Sequence, residues 1–376
     1  MDMQEELRFF GKLVHNGVVT KEQVEGLLAA MQESGRPLSE LAVQKGLLEA
    51  SQLDLLVRLG GEVVPTIPGY ELIDVLGKGG TAVVVRALDK KAHREVAIKV
   101  LLESLSDEEP IRRSFVREAK LLMKLDHENV AKGYKVGTLQ GRLLFFLEHV
   151  DGSSLQSLLR DGHKFSEDAG LFIILQAARA LNYLSEQGVV HRDIKPDNIL
   201  LTRENQVKLI DLGFATSAGT SGDDSETTVG TVAYISPEQA RGQGDLDVRS
   251  DIYSLGATLY QLVVGDLPFG GDSNQDILAA QILESLSSEV LKSRKISPHM
   301  HYFIEKMMAK ERDIRYQDPA ELIADIEEQM RGKKSLQFNP GGEDDVDLLD
   351  KPFADVPPTA PPSQPRYPSL KRRKRR

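Results

Sequence analysis

The sequence predicts an α+β protein preceded by a small all-α module, and three observations carry that reading. Apolar residues recur at helical spacing through residues 1–62, switch to a strand-like pattern from Tyr70, and return to helical spacing over residues 108–125. At 376 residues the chain is long enough for two or three domains and a sizeable core.

Composition narrows the function classes before any motif is read. With 40% apolar and 28% charged residues the chain is ordinary for a soluble globular protein, and no apolar run approaches the ~18 residues that a membrane span needs. The acidic start, MDMQEELRFF, lacks the basic-then-apolar layout of a secretory signal, so a cytoplasmic location is expected. The absence of cysteine excludes disulfides, thiolate nucleophiles and Cys-based zinc sites. The eight histidines are scattered, His299 and His301 being the one close pair, so a histidine-built metal site is not expected. The net charge is −10, yet the last six residues, KRRKRR, are all positive and leave −16 on residues 1–370. Such an acidic body is a poor nucleic-acid binder, and any polyanion contact belongs to the tail.

Residues 1–62 contain an internal repeat at an offset of 29. Val14, Gly17 and Gln23 align with Val43, Gly46 and Gln52, while Val18, Val19, Val24 and Leu27 fall on Leu47, Leu48, Leu53 and Leu56. Each unit reads as helix, glycine turn, helix, and one copy alone could not bury its apolar face. A packing or dimerisation module is the expectation. Pro65 and Pro68 then end the helical pattern, and residues 63–332 form the next domain. Residues 333–376 are too polar and proline-rich to pack a core and are expected to be disordered, with a basic tip suited to a polyanion or an acidic partner.

The segment LIDVLGKGGTAVVVRALD reads as strand, glycine turn at Gly77, Gly79 and Gly80, and second strand. Such a turn lets backbone N–H groups approach phosphates, although a plain hairpin would look the same. In EVAIKVL, alternation puts Val96, Ile98 and Val100 on one face and Ala97 and Lys99 on the other. Lys99 is an ammonium in an otherwise apolar strand. Over residues 108–125, Phe115, Ala119 and Leu122 form a helical stripe, and Glu118 falls inside it. The two misplaced charges either pair or find separate relief, Lys99 by snorkelling and Glu118 at the stripe's edge.

HRDIKPDN, residues 191–198, is a polar loop between apolar segments. Asp193 can accept a proton from a substrate hydroxyl, Lys195 can neutralise charge on a transferring phosphoryl group, and Asn198 can hold a metal through its amide oxygen. The strand VKLIDLG ends in Asp211, a second candidate metal ligand.

Glycine loop, strand lysine, helical glutamate, HRDIKPDN and DLG stand in the order of the protein-kinase signature. Over residues 68–332 the chain resembles the eukaryotic-like serine/threonine protein kinases, especially those of bacteria. Residues 1–62 resemble helical modules that precede bacterial secretion ATPases and some of those kinases. The resemblance implies a two-lobed fold, a small antiparallel β lobe with one helix at about 68–147 and a large, mainly helical lobe at about 152–332. It implies transfer of the γ-phosphoryl group of ATP, with Mg²⁺, to protein serine or threonine hydroxyls. Gly77, Lys78, Gly79 and Gly80 would cover the phosphates, Lys99 would contact the α- and β-phosphates, and Glu118 would orient it. Asp193 would position the hydroxyl, Lys195 would support it, and Asn198 and Asp211 would hold Mg²⁺. The backbone of Glu148 and Val150 would meet the adenine edge with Leu147 behind it, and Val84, Ala97 and Leu200 would sandwich the ring. Glu238 would pair with Arg315, Asp251 would brace the catalytic loop, Thr231 would lie near Asp193, and His191 would be structural.

The pattern departs at three places: Ala82 for a loop glycine, Leu212 for the phenylalanine of D-F-G, and Ser236 for the alanine of A-P-E. Arg192 suggests regulation by a phosphate on the activation segment, where Thr216, Ser217, Thr220, Ser221, Ser225, Thr227 and Thr228 are candidates and autophosphorylation at Thr227 or Thr228 is expected. The alternatives are a pseudokinase or scaffold, and a chain whose ends dock onto other molecules.

Overall fold

The computed structural model describes residues 2–212, 216–217, 231–286 and 296–336. Two compact units divide the chain, one comprising Met1–Asp107 with Thr138–Leu144, the other Glu108–Gly137 with the described part of Phe145–Asp350.

The first unit opens with four helices: α1 (Met3–His15), α2 (Lys21–Ser34), α3 (Leu38–Gln44) and α4 (Ala50–Arg58). Their starts follow from side chains that satisfy the orphan N–H groups of a first turn. Asp2 with Glu5 and Thr20 with Gln23 form reciprocal capping boxes. Pro37 precedes α3 and has no side chain to offer, so a residue from another helix caps it: the buried carboxylate of Glu6 accepts from Leu38 N, Ser39 N and Ser39 Oγ at 2.8, 3.2 and 2.6 Å. The turns after α1 and α3 close with the same bonds. Gly17 N donates to Val14 O and Val18 N to Leu13 O, as Gly46 N does to Val43 O and Leu47 N to Ala42 O. Both glycines take the left-handed conformation, at φ 68° and 67°, where a side chain costs about 1 kcal/mol. Gln23 and Gln52 accept from Thr20 N and Glu49 N respectively. Phe9, Phe10, Leu13, Leu27, Leu38 and Leu41 are among the buried residues that these helices share as a core.

Strands β1 (Tyr70–Lys78), β2 (Ala82–Asp89) and β3 (Arg94–Leu101) form an antiparallel meander in the same unit. With β4 (Gly133–Leu139) and β5 (Arg142–Glu148) they make one five-stranded sheet in the order β1-β2-β3-β5-β4. The first strand is therefore an edge strand, and its register with β2 slips twice, between Leu72 and Asp74 and between Val75 and Gly77.

The second unit is mainly helical. It begins with α5 (Glu109–Leu122) and continues with a small sheet of β6 (Gly152–Ser154), β8 (Ile199–Thr202) and β9 (Val207–Leu209), helices α6 (Leu155–Arg160) and α7 (Glu167–Glu186), and the short β7 (Val189–Val190). Helices α8 (Pro237–Ala240), α9 (Val248–Val264), α10 (Asn274–Leu283), α11 (Pro298–Met307) and α12 (Pro319–Leu336) complete it. Burial surrounds α9 on every side, as expected of a core helix, and Gly256 lets α11 approach so closely that a Cβ there would stand 2.7 Å from Met307 Cβ. The α+β class expected from the sequence is the one observed. No helix among the described residues is long and apolar enough to cross a membrane.

Candidate active site

In the first unit, the β1–β2 turn carries Gly77, Lys78, Gly79 and Gly80 and closes through Gly79 N donating to Ala82 O at 2.8 Å. A Cβ on Gly77 or Gly80 would meet nothing within 4 Å, and neither residue has positive φ. Packing and backbone conformation thus leave the glycines unexplained, whereas close approach of a ligand to the backbone would explain them. The Lys78 side chain turns back to Gly60, its Nζ 3.3 Å from that carbonyl oxygen. Ala82 is buried.

Across β2 and β3, Val84 stands opposite Lys99 and Arg86 opposite Ala97. Directly opposed residues share a face, so Val84, Ala97 and Lys99 lie together, while Val83, Val85, Ile98 and Val100 fill the other face with no exposure. This is the sorting of β3 that alternation predicts.

In the second unit, Glu118 is buried within the α5 stripe of Phe115, Ala119 and Leu122. Glu148 ends β5 with its N–H donating to Lys132 O at 2.8 Å and its carboxylate paired to Lys208 Nζ of β9 at 2.8 Å. Leu200 lies on the face of β8 opposite its buried neighbours Ile199 and Leu201.

The loop of residues 191–198 brings three of the expected residues together. Lys195 Nζ lies 2.9 and 2.8 Å from the two carboxylate oxygens of Asp193. Asn198 Nδ2 donates to both the carbonyl and Oδ2 of Asp193, each at 2.8 Å. Asp193 is buried, and that burial pushes its carboxyl up while Lys195 and Asn198 pull it down. Asp211 also acts on Asp193, its negative charge adding to the upward push.

Several contacts hold the loop. Asp251, buried on α9, accepts from His191 N and Arg192 N at 2.8 Å each, and Gln239 Nε2 donates to Arg192 O at 3.0 Å. Arg192 is thereby fixed at φ 68°, a left-handed conformation that a non-glycine residue adopts at a cost of about 1–2 kcal/mol, and Asp211 shares it at φ 61°. Burial pushes the Asp251 carboxyl up to about 7, against the pull of the two N–H groups, and pushes His191 down to about 4. His191 is fully buried, in keeping with a structural role.

Further along, Glu238 accepts from Arg315 at 2.7 and 2.9 Å and from Ser250 Oγ at 2.7 Å. The remaining Arg315 donors reach the carbonyls of Ala309, Arg249 and Lys310, so all five are used. Leu212 is buried. Ser236 forms a capping box with Gln239 at the start of α8, which gives the serine at this position a physical reason.

The donor set of Asn198 and Asp211 suits a hard cation such as Mg²⁺, which takes oxygen ligands. Because the Asn198 amide nitrogen is committed to Asp193, its oxygen is the atom left to face a metal. Thr220, Ser221, Ser225, Thr227 and Thr228, the side chains of Thr216, Ser217 and Thr231, and the 337–376 tail lie outside the described residues. Sequence reasoning missed Gln239, which holds the Arg192 carbonyl, and Lys208, which pairs with Glu148. Only Gln239 carried a local signal, the S-x-x-Q spacing from Ser236.

The protein kinase domain family matches residues 70–325. The chain is 37% identical over 283 residues to the probable serine/threonine-protein kinase SCO3848 of Streptomyces coelicolor, covering 73% of this chain and 41% of that protein. It is 36% identical over 264 residues to the serine/threonine-protein kinase PknB of Mycolicibacterium smegmatis, covering 68% and 42%, and 35% identical over 259 residues to the probable serine/threonine-protein kinase CPE1738 of Clostridium perfringens, covering 69% and 38%. The chain spans about two fifths of the length of these curated relatives. With the family match extending over the glycine loop, the 191–198 loop and helices α5 to α11, the chain belongs to the protein kinase family.

Proposed function

We propose that the chain is an ATP-dependent serine/threonine protein kinase that phosphorylates protein hydroxyls and its own activation segment. One observation carries the reading: Asp193, Lys195 and Asn198 form a single hydrogen-bonded cluster on a loop whose backbone Asp251 holds. Phosphoryl transfer asks a protein chiefly for alignment and charge neutralisation. Asp193 accepts the hydrogen bond of the incoming hydroxyl and aims its oxygen, and burial keeps this carboxylate a better proton acceptor than one in water. Lys195, already against Asp193, balances the charge that develops beside it.

We assign Lys99 to the α- and β-phosphates, with Glu118 orienting it, and the backbone of Gly77, Lys78, Gly79 and Gly80 to the phosphate cover. The Glu148 N–H is committed to Lys132, so the Glu148 carbonyl and the Val150 N–H are the groups assigned to the adenine edge, with Leu147 behind it and Val84, Ala97 and Leu200 on the ring faces. Asn198 and Asp211 would hold Mg²⁺, which neutralises phosphate charge when bound. Lysine at 195 favours serine and threonine acceptors. Autophosphorylation is assigned to Thr227 or Thr228, where a phosphate would meet Arg192. Helices α1–α4 are read as two copies of one unit serving a protein partner, a reading supported by the matched turn bonds 29 residues apart, and KRRKRR as a polyanion contact. ATP is a cytoplasmic metabolite, so the cytoplasm is the proposed place of work.

The test is phosphate transfer from Mg²⁺/ATP to a generic basic protein by wild type and Asp193→Asn, with ATP affinity measured alongside. Transfer should fall about 10²–10⁴-fold with affinity retained. Equal transfer by both proteins ends the proposal, and identical loop phosphates on both by mass spectrometry end the autophosphorylation reading.

A further inference from the structure

The glycine loop grows out of β1, and β1 is an edge strand whose outer backbone groups meet no strand among the described residues. What meets that edge is the end of the N-terminal helices. Arg58, the last residue of α4, donates through Nη1 to Asp74 Oδ1 and through Nη2 to Val75 O, both at 2.7 Å. Asp74 in turn accepts from Val75 N at 2.8 Å, which fixes the carboxylate for the guanidinium. These two residues lie between the register slips of β1, and the second slip, between Val75 and Gly77, is the one that leads into the loop. A bulge re-aims the residues beyond it, so a clamp at Asp74 and Val75 governs the direction in which Gly77–Gly80 leave the sheet.

Two residues after Arg58, the chain turns at Gly60 and Gly61, with φ 59° and 81°. The Gly60 carbonyl receives Lys12 Nζ of α1 and Lys78 Nζ of the glycine loop, each at 3.3 Å, and Asn16 Nδ2 donates to Gly61 O at 2.9 Å. Buried Glu62 comes next; burial and the neighbouring Lys12 ammonium push the Lys78 pKa down, and the Glu62 charge opposes them. The turn is therefore tied to α1 on one side and to the glycine loop on the other. A Cβ on Gly60 would run into Lys78 Nζ.

We propose that Arg58 and Gly60 are positioning residues for nucleotide binding: Arg58 clamps β1 between its bulges, Gly60 receives Lys78, and the helical N-terminus thereby sets the aim of the glycine loop over the phosphates. The inference rests on the kinase reading for its reaction but not for its geometry. Both groups act through the loop rather than on the nucleotide. Their loss should weaken ATP binding and leave the chemical step and protein-substrate binding alone.

The experiment uses the full chain with Arg58→Ala, Gly60→Ala and, as a control elsewhere in the helices, Arg36→Ala, which removes an exposed pair with Glu40 and an exposed hydrogen bond to Gln44. Mg²⁺/ATP dissociation constants come from calorimetry, and KM and kcat from transfer to a basic protein. For an exposed charge clamp the expected rise in Kd and in KM for ATP is about threefold to fivefold in Arg58→Ala. Gly60→Ala should move the same way, because it displaces Lys78 and strains the left-handed turn without removing a hydrogen-bonding group, and it carries the test alone if Arg58→Ala does not fold. Values of kcat and of KM for the protein should stay within about twofold, and Arg36→Ala should match wild type in all four. Wild-type ATP affinity in Arg58→Ala and Gly60→Ala overturns the inference, as does a fall in kcat as large as the loss of affinity. A wild-type protein that binds ATP without transferring phosphate refutes the kinase reading while the dissociation constants still decide this one; one that binds no nucleotide overturns both.

Discussion

Replacing Arg315 by methionine should be among the most damaging single changes in the second unit, and its cost should grow with pH. The side chains of Arg315 and Glu238 are 0% and 2% exposed. Removing the guanidinium leaves Glu238 with Ser250 as its remaining side-chain donor and strips a partner from the carbonyls of Ala309, Arg249 and Lys310. Breaking a buried pair from one side costs about 3–5 kcal/mol, a large part of the 5–15 kcal/mol that a folded protein has to lose. In the wild type, burial alone would raise the Glu238 carboxyl, but the hydrogen bonds and charge of Arg315, with smaller help from Ser250 and a backbone N–H, outweigh it and hold the group below its ordinary value. A depressed carboxyl stabilises the fold above its unfolded pKa and loses that contribution as pH falls through the folded value. Without Arg315 the sign reverses: burial raises the carboxyl, and the variant loses stability as pH rises through the new value. Urea unfolding at pH 5, 6.5 and 8 should show the gap between the two proteins widening, and the double variant Arg315→Met/Glu238→Leu should recover part of it. A gap below 1 kcal/mol, one that does not change with pH, or a double variant less stable than Arg315→Met would refute the reasoning.

Three other outcomes each rest on one residue. Ser236→Ala removes the cap of α8 and should cost about 1 kcal/mol in urea unfolding, with Ser236→Asp recovering most of it. Glu6→Ala strips the N-terminus of α3 of its remote cap and should cost about 1–3 kcal/mol, read as lost hydrogen-exchange protection at Leu38 and Ser39. His191, pushed by burial from 6.5 to about 4, contributes stability that is complete above pH 6.5 and is lost as pH falls through about 4. His191→Asn should therefore flatten the acid limb of the stability curve by up to one proton over that range, and an unchanged slope would count against the burial argument.

Much of the candidate site was legible because it holds charges where folding alone would not place them. Lys99 in an apolar strand and Glu118 in an apolar stripe broke the local pattern, and both lie where the periodicity put them, Lys99 on the Val84 and Ala97 face and Glu118 buried. The helical N-terminus was legible through its matched glycines and glutamines, whose backbone and capping roles are local. The resemblance carried two distant contacts, Glu238 with Arg315 and Asp251 with the 191–198 loop; what escaped were the distant contacts that no motif announces. Glu6 reads as one of several surface acids in MQEEL, yet it is buried, because Pro37 leaves α3 uncapped 32 residues later. Arg58 reads as the basic last turn of a helix, a sufficient role in itself, and nothing local announces that β1 presents an edge to it.

The 191–198 loop shows why such distant contacts matter for the proposed chemistry. Asp193 stands directly after a residue at φ 68°, and Asp211 itself sits at φ 61°. Each conformation costs about 1–2 kcal/mol, so a loop left to itself would relax and carry the carboxylates away. Asp251 from α9 and Gln239 from α8 grip both ends of the Arg192 residue, and Asn198 O accepts from Ile210 N at 3.0 Å next to Asp211. Gln239 is held in turn by the Ser236 cap, in the segment directly before Glu238, and Glu238 is fixed by Arg315. The strain at Arg192 is thus held by a chain of bonds running from the 191–198 loop to the buried ion pair. A loss at Ser236 or Arg315 should reach Asp193 through Gln239 before it unfolds anything, and phosphate transfer should fall at urea concentrations where the fold is still intact.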